Sequence, residues 1–396
     1  MLKGKNVILG VTGGIAAYKG VELLRLLTRA GADVHVIMTA AAMEFVTPLT
    51  FQTLSMNPVS TSLFNLMSER EIGHISLADR ADLVIIAPAT ANCIGKLAGG
   101  IADDLLSTTV MATRAPVLIA PAMNVNMYQN PIYMENEAKL KNHGYLFVEP
   151  VHGMLACGWE GEGKLQDPQV IFEEAIAALT VKDLAGENIL VTAGPTREAI
   201  DPVRFLSNHS SGKMGFAIAR EARRRGASVT LVAGPTCLEP PPGVECIRVE
   251  TALEMRGKML ALASCSTIII KAAAVADYRP KERASGKIKK TDAAMSLELV
   301  KNPDILLELG QIKGKRILVG FAAETENLLE NAAGKLVQKN LDLIVANDVG
   351  AEGAGFNVDT NIVRFLYRGG NIEELPIMTK GELAGVILDR VTMMKK

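Results

Sequence analysis

The side chains with the capacity for chemistry fall into two groups along the chain. In the first half they are His74, the run Pro88-Ala89-Thr90-Ala91-Asn92-Cys93, Asn124 and Cys157. An imidazole titrates near neutrality, so His74 suits proton transfer; its ordinary explanation is a surface polar residue. The run from Pro88 offers small side chains, a hydroxyl, an amide and free backbone N–H groups just ahead of a predicted helix that begins near Ile94. First-turn N–H groups have no intrahelical partner, so that position favours an anion such as phosphate. Asn124 carries an amide at the end of another apolar run, and Cys157 lies with Trp159 in a glycine-rich stretch over 151–164. A half-buried structural thiol would explain Cys157 equally well.

In the second half, residues 207–215 read SNHSSGKMG, hydroxyls and a lysine before a helix start. The pattern suits a phosphate but is no P-loop, because Ser207 stands at the first glycine and Met214 follows Gly212-Lys213. Lys271 interrupts an apolar run, and Asp277 precedes Tyr278-Arg279-Pro280, where a turn residue is the ordinary explanation. Residues 281–290 then carry Lys281, Arg283, Lys287, Lys289 and Lys290 against Glu282. Such a run is either a solvated loop or a cover for a polyphosphate.

These groups need elements to hold them. A strand over 82–87, with an unbroken apolar run at 83–86, has the length and β-branching of a central parallel strand, and ligands collect at the carboxyl ends of such strands. Residues 6–11 predict a strand, Thr12-Gly13-Gly14 a tight turn, 15–30 a helix and 34–38 a strand ending at Thr39. The glycines have neither G-x-G-x-x-G spacing nor a following Gly-Lys-Ser/Thr, so alone they indicate only an α/β unit. Strands are predicted at 117–120 and 145–148, an irregular excursion at 151–164 and a helix at 169–179. After a polar connection at 181–187 the pattern restarts with strands at 189–192, 229–233, 268–274, 318–321, 343–346 and 362–366. Helices are expected from Met214 to Gly226, from Asn302 and from Lys380. The expectation is an α/β chain of two doubly wound parallel-sheet (Rossmann/flavodoxin-like) domains in tandem, 1–180 and 188–396, joined by a linker at 181–187.

The composition narrows the function classes. The chain is 48% apolar and only 4% aromatic, so Val, Ile, Leu, Ala and Met must build the cores. With 42 basic and 43 acidic residues its net charge is −1, which argues against nucleic acid and anionic membranes as partners. No apolar stretch is long enough to span a bilayer. Five scattered cysteines without C-x-x-C point to a reducing cytoplasm and away from a zinc site.

Taken together, GVTGGIAAYK (10–19), the His74 segment, PATANCIGKLAGGIADDLL (88–106), PAMN (121–124) and the Cys157 stretch resemble the flavin-dependent phosphopantothenoylcysteine decarboxylases. VTAGPTREAIDPVRFLSNHSSGKMG (191–215), AAAVADYRP (272–280), KIKK (287–290), NPDIL (302–306) and GFAAET (320–325) resemble phosphopantothenate–cysteine ligase. The order of the two halves is similar to that of the bacterial bifunctional coenzyme A biosynthesis proteins. The resemblance implies FMN over Gly13, Gly14, Thr39, Pro88, Ala89, Thr90, Ala91 and Asn92, with transient oxidation of the substrate by the flavin making loss of CO₂ possible. It implies His74 as catalytic base, Asn124 on the substrate carboxylate and Cys157 as proton donor. In the second half it implies that CTP activates 4′-phosphopantothenate as an acyl-cytidylate, which the amine of L-cysteine then attacks. The nucleotide would be lined by Lys271, Ala272, Ala273, Asp277, Lys287, Pro303, Asp304, Ile305, Leu306, Phe321, Lys335 and Lys339, with Asn208 handling the acyl intermediate. Mg²⁺ is implied by the triphosphate, held partly by phosphate and water, and its protein ligands stay unassigned. The family also implies a homo-oligomer, decarboxylase trimers in a larger assembly with dimeric ligases.

Two positions depart from the family pattern. Lys164 stands where an arginine is usual, without the bidentate fork, so a clamp there would be looser. Lys271 breaks a strand that is usually apolar, and is expected near the nucleotide phosphates or in solvent. Two other readings remain: a nicotinamide-linked flavin reductase with a fused nucleotide-binding domain, which consumption of NAD(P)H would favour, and a flavodoxin-like carrier joined to a binding module.

Overall fold

The computed structural model describes residues 2–63, 73–156, 158–289, 295–324, 328–348 and 358–395. The chain divides into two compact units, Met1–Thr180 and Val181–Lys396. In the first, β1 (Asn6–Val11), β2 (Asp33–Met38), β3 (Leu83–Ala89), β4 (Val117–Pro121) and β5 (Leu146–Phe147) form a sheet in the order β2-β1-β3-β4-β5. Every pairing is parallel. This is the flavodoxin-like order, whose direction reverses between β1 and β3. Alternation sends Val7, Leu9, Leu83 and Ile85 to one face of the sheet and Ile8, Val84 and Ile86 to the other, and each set belongs to a separate buried cluster.

The apolar run of β3 passes through Pro88 to Ala89, with an irregular register against β4, so the strand ends two residues later than predicted. The helix after it, Ala91–Gly99, starts three residues earlier than predicted, because Thr90 caps it by accepting from Cys93 N at 3.4 Å. His74 lies in a helix, Gly73–Arg80, where the sequence pattern had suggested none. The 151–164 stretch is not irregular but a hairpin, β6 (Val151–Met154) and β7 (Glu160–Lys164). Its alternate glycines explain it: Gly161 and Gly163 face the segment after β4, where a Cβ would come within 2.7 Å of Val125 and 2.4 Å of the Met123 carbonyl oxygen. Met123 N donates to Gly163 O at 2.9 Å, completing the seam.

The second unit holds β8 (Asn188–Ala193), a hairpin of β9 (Arg197–Ala199) and β10 (Phe205–Ser207), β11 (Ser228–Ala233), β12 (Glu245–Arg248) and β13 (Ile268–Lys271). Then come a pair formed by β14 (Tyr278–Pro280) with β15 (Leu299–Lys301), β16 (Ile317–Glu324), β17 (Leu343–Asp348), β18 (Thr360–Asn361), β19 (Val363–Tyr367), β20 (Ile372–Glu374) and β21 (Met378–Thr379). The main sheet runs β12-β11-β8-β13-β16-β17-β19-β20. Its first six strands are parallel, and β19 and β20 add antiparallel. The order reverses between β8 and β13. Residues 182–187 are integrated into this unit: Leu184 is fully buried in its core and Lys182 Nζ donates to Arg224 O at 2.6 Å. Among the described residues no helix is long and apolar enough to cross a membrane.

Candidate active sites

In the first unit a cavity of about 470 Å³ opens at the carboxyl ends of β1, β3 and β4, where the sheet order reverses. Buried Thr12 supports it from behind. Its hydroxyl donates to Pro88 O at 2.7 Å and accepts from Thr90 N at 2.9 Å, which ties the loop after β1 to the end of β3. Gly13 is a steric requirement here, because a Cβ would stand 2.3 Å from Ala41 Cβ, whereas a Cβ at Gly14 would meet open space. The helices Ala17–Arg29 and Ala91–Gly99 start at this cavity, so two sets of first-turn N–H groups serve it. Most of its wall is apolar, with Ile15, Met123, Met127, Met154 and Leu155, while Lys19 and Lys164 bring positive charge.

Of the predicted flavin residues, Gly13, Gly14, Thr90 and Ala91 line the cavity. Pro88 and Ala89 lie behind it in β3, Asn92 is exposed on the following helix, and Thr39 caps the helix Ala40–Met43 by accepting from Ala42 N at 3.3 Å. Asn124 lines the cavity and caps the helix Val125–Tyr128, its Oδ1 accepting from Asn126 N at 2.8 Å. His74 does not line it; that side chain is half-buried, and its Nδ1 has no partner among the described residues. Cys157 falls outside the described residues; on either side of it in sequence, Leu155 N donates to Trp159 O at 2.8 Å.

The second unit has its own cavity of about 470 Å³, at the carboxyl ends of β8, β13, β16 and β17. Two buried threonines of the β8 segment organise it: Thr192 Oγ1 accepts from Ala273 N and Thr196 Oγ1 from Ala276 N, both at 3.0 Å. Gly212 enters the helix Lys213–Arg224 with φ +79°, and no side chain among the described residues caps that helix. Gly215 lets the helix lie against β8, since a Cβ would be 2.5 Å from Ala193 Cβ. Of the residues expected around the nucleotide and the acyl intermediate, Asn208, Lys271, Ala272, Ala273 and Phe321 line this cavity, and Asn208 Nδ2 donates to Val275 O at 3.0 Å.

The apolar run thought to continue to residue 274 ends as a strand at Lys271, which places that ammonium at the cavity rather than inside the sheet. Burial is the main cause that pushes Lys271 down to about 8; nearby Lys339 and Lys335 act in the same direction, against Asp304 and Asp277. Lys339 Nζ pairs with Asp304 Oδ2 at 2.8 Å, and the other Asp304 oxygen caps the helix Ile305–Gln311. The structure thus gathers Lys271, Asp277, Asp304, Lys335 and Lys339 into one electrostatic cluster. Asp277, Pro303, Asp304, Ile305, Leu306, Lys335 and Lys339 stand outside the lining of the cavity.

Lys287 is exposed and outside that lining as well. Its segment is tethered by buried Asp201, which accepts from Ile288 N at 3.1 Å and from Val203 N and Arg204 N. The motif reading missed Asn347, Asn361 and Lys380, which also line the cavity. Asn347 lies next to the end of the central strand β17, Asn361 sits in the two-residue β18 and Lys380 opens the last helix, without any local pattern to single them out. Asn347 Oδ1 is buried and has no partner among the described residues. No group of three His, Cys, Asp or Glu among those residues could hold a metal ion.

Two family models cover the chain. The flavoprotein family matches residues 1–201, and the DNA/pantothenate metabolism flavoprotein C-terminal domain matches residues 184–394. The chain is 52% identical to the coenzyme A biosynthesis bifunctional protein CoaBC of Bacillus subtilis, over 100% of this chain and 98% of the relative. It is 49% identical to the protein of that name from Haemophilus influenzae, over 98% of each chain. The Escherichia coli K12 relative is also 49% identical, over 98% of this chain and 97% of its own. The chain belongs to the family of bifunctional coenzyme A biosynthesis proteins.

Proposed function

We propose that the chain catalyses two successive reactions. The second unit ligates L-cysteine to 4′-phosphopantothenate through an acyl-cytidylate made with CTP, and the first decarboxylates the resulting 4′-phosphopantothenoylcysteine to 4′-phosphopantetheine. The observation that carries this reading is full-length identity to bifunctional relatives, combined with a separate cavity at the switch point of each sheet.

FMN is the cofactor proposed for the first cavity, and the residues present fit it. Apolar walls suit a flat ring, and the two helix starts beside Gly13, Gly14 and Thr90 suit its phosphate. The bound flavin would supply the two-electron chemistry at the substrate's thiol-bearing carbon that makes decarboxylation possible. Asn124, oriented by its capping bond, would hold the substrate carboxylate, with Lys164 as a point charge nearby. His74 would act as base and Cys157 as proton donor. Because His74 lies off the cavity of its own chain, a homo-oligomer in which another copy completes the site fits best. The exposed Ile15, Leu49, Ile132 and Met154 favour such assembly.

In the second cavity, Lys271 and its neighbours would meet the nucleotide, Lys287 would close from its tethered segment, and Asn208 would hold the acyl intermediate for aminolysis. Mg²⁺ would arrive with the triphosphate. Free thiols at Cys93, Cys237, Cys246 and Cys265 are consistent with a cytoplasmic enzyme. The test is direct. Purified protein should release pyrophosphate from CTP with 4′-phosphopantothenate and cysteine, and CO₂ from 4′-phosphopantothenoylcysteine without any added reductant. A requirement for NAD(P)H would overturn the decarboxylase half in favour of a reductase.

A further inference from the structure

The second cavity has a polar end that the proposed nucleotide residues do not account for. The uncapped start of the helix Lys213–Arg224 lines it through Lys213, Met214 and Gly215, preceded by Ser210 and Ser211. Opposite, reaching the same cavity from the far end of the chain, is Lys380. Lys380 is only 7% exposed, an unusual position for a lysine. It opens the helix Lys380–Met393, and its Nζ donates to Val358 O at 2.6 Å while its backbone N–H bonds Asp359 O at 2.8 Å. Asp359 in turn pairs with Lys213 Nζ at 2.7 Å. Lys213 and Lys380 are thus both tied to residue 359, Lys213 by its ammonium at the carboxylate and Lys380 by its backbone N–H at the carbonyl. Asn347 stands beside them, 9% exposed, with its buried Oδ1 unmatched among the described residues.

Two ammonium groups and an uncapped helix start make an anion cradle. A buried amide oxygen without a partner calls for a donor from the ligand. A ligand carrying a phosphate together with hydroxyl or amide hydrogens satisfies both. We propose that Lys380 is a substrate-binding residue of the ligase, gripping a phosphate group seated on the start of the Lys213–Arg224 helix. The proposal rests on the ligase reading above. CTP and 4′-phosphopantothenate both carry the required chemistry, and kinetics separate them.

The experiment compares full-length wild type with Lys380→Met and Lys380→Arg, varying CTP, 4′-phosphopantothenate and cysteine in turn while following pyrophosphate. Lys380→Met should raise KM for one phosphate-bearing substrate about tenfold, the loss expected for one charge-assisted contact. KM for cysteine and the decarboxylation rate should stay unchanged. Lys380→Arg should recover most of the loss. A rise for CTP identifies the triphosphate as the occupant; a rise for 4′-phosphopantothenate identifies its phosphate monoester. The proposal is overturned if both KM values stay within twofold of wild type, or if all three rise together with a lower unfolding midpoint, which would mark Lys380 as structural. Wild-type protein that releases no pyrophosphate would instead refute the ligase reading itself.

Discussion

Lys271 offers a test in which stability and function move in opposite directions. Its ammonium sits at the end of β13, and burial reinforced by Lys339 lowers it from the ordinary 10.5 to about 8. At about 1.4 kcal/mol for each tenfold change in proton affinity, holding that charge costs the folded unit roughly 3 kcal/mol below pH 8. The sign follows from the two protonation equilibria. Below pH 8 the lysine is charged in both states and the whole cost is present. Between pH 8 and 10.5 the folded form loses its proton first, so the cost fades, and above 10.5 it is gone. Lys271→Met keeps the length and removes the charge. It should therefore stabilise the second unit by about 1–3 kcal/mol at pH 7, with the gain vanishing above pH 10.5. Urea unfolding by circular dichroism reads this, with Trp159, the single tryptophan and a residue of the first unit, reporting the other half by fluorescence. If Lys271 meets the nucleotide phosphates as proposed, the same variant should raise KM for CTP about tenfold. A destabilised Met variant at pH 7, or a gain that persists above pH 10.5, would refute the reasoning.

Five further variants test the site assignments. His74→Asn should abolish CO₂ release and leave pyrophosphate release intact; loss of both in a folded, flavin-loaded protein would refute two independent sites. Cys157→Ser replaces a thiol of ordinary pKa about 8.5 with a far weaker acid, so CO₂ should still form while the enethiol product stays trapped, as mass spectrometry of quenched mixtures would show. Gly163→Ala adds a Cβ 2.4 Å from the Met123 carbonyl oxygen at φ +132°, so the hairpin should shift by several tenths of an ångström and flavin retention on gel filtration should fall. Asn208→Asp should accumulate acyl-cytidylate, because a carboxylate beside an anionic intermediate disfavours aminolysis, whereas Lys287→Gln should block the intermediate and pyrophosphate alike.

What could be read from the sequence follows the range of the interactions involved. Most strands of the two main sheets were legible because they are continuous apolar runs buried on two faces, as in residues 83–86 and 268–270, whereas the partly exposed edge strands β12 and β20 carry no such run and were missed. Gly13 and Thr90 stand out because turn and cap chemistry is local and leaves a local mark, whereas Asn208 stands out only through the family resemblance. The 151–164 hairpin escaped because its glycines answer to the surface of another segment, Met123 to Val125, and not to a strand period of their own. The end of β13 escaped for a related reason. Lys271 looks like an interruption of an apolar run until the structure shows that it ends the strand at a cavity wall.

Distance along the chain had the same effect on the ligase cavity. Lys213 and Lys380 are separated by most of the second unit, yet Asp359 and the Val358 carbonyl bring them to one cavity. Neither Lys380 nor Asn347 has neighbours in sequence that mark it as functional, and each becomes visible only through burial at a polar cavity wall. His74 presents the converse case. Its motif singles it out, but its own chain does not bring it to the first cavity. A residue chosen by its motif and missing from the local wall is what a site shared between subunits would produce. Mixing His74→Asn with Asn124→Ala protein after dissociation and reassembly should then restore part of the CO₂ release, in active sites that draw wild-type residues from two chains. No recovery after verified subunit exchange would place both residues in the same subunit's site.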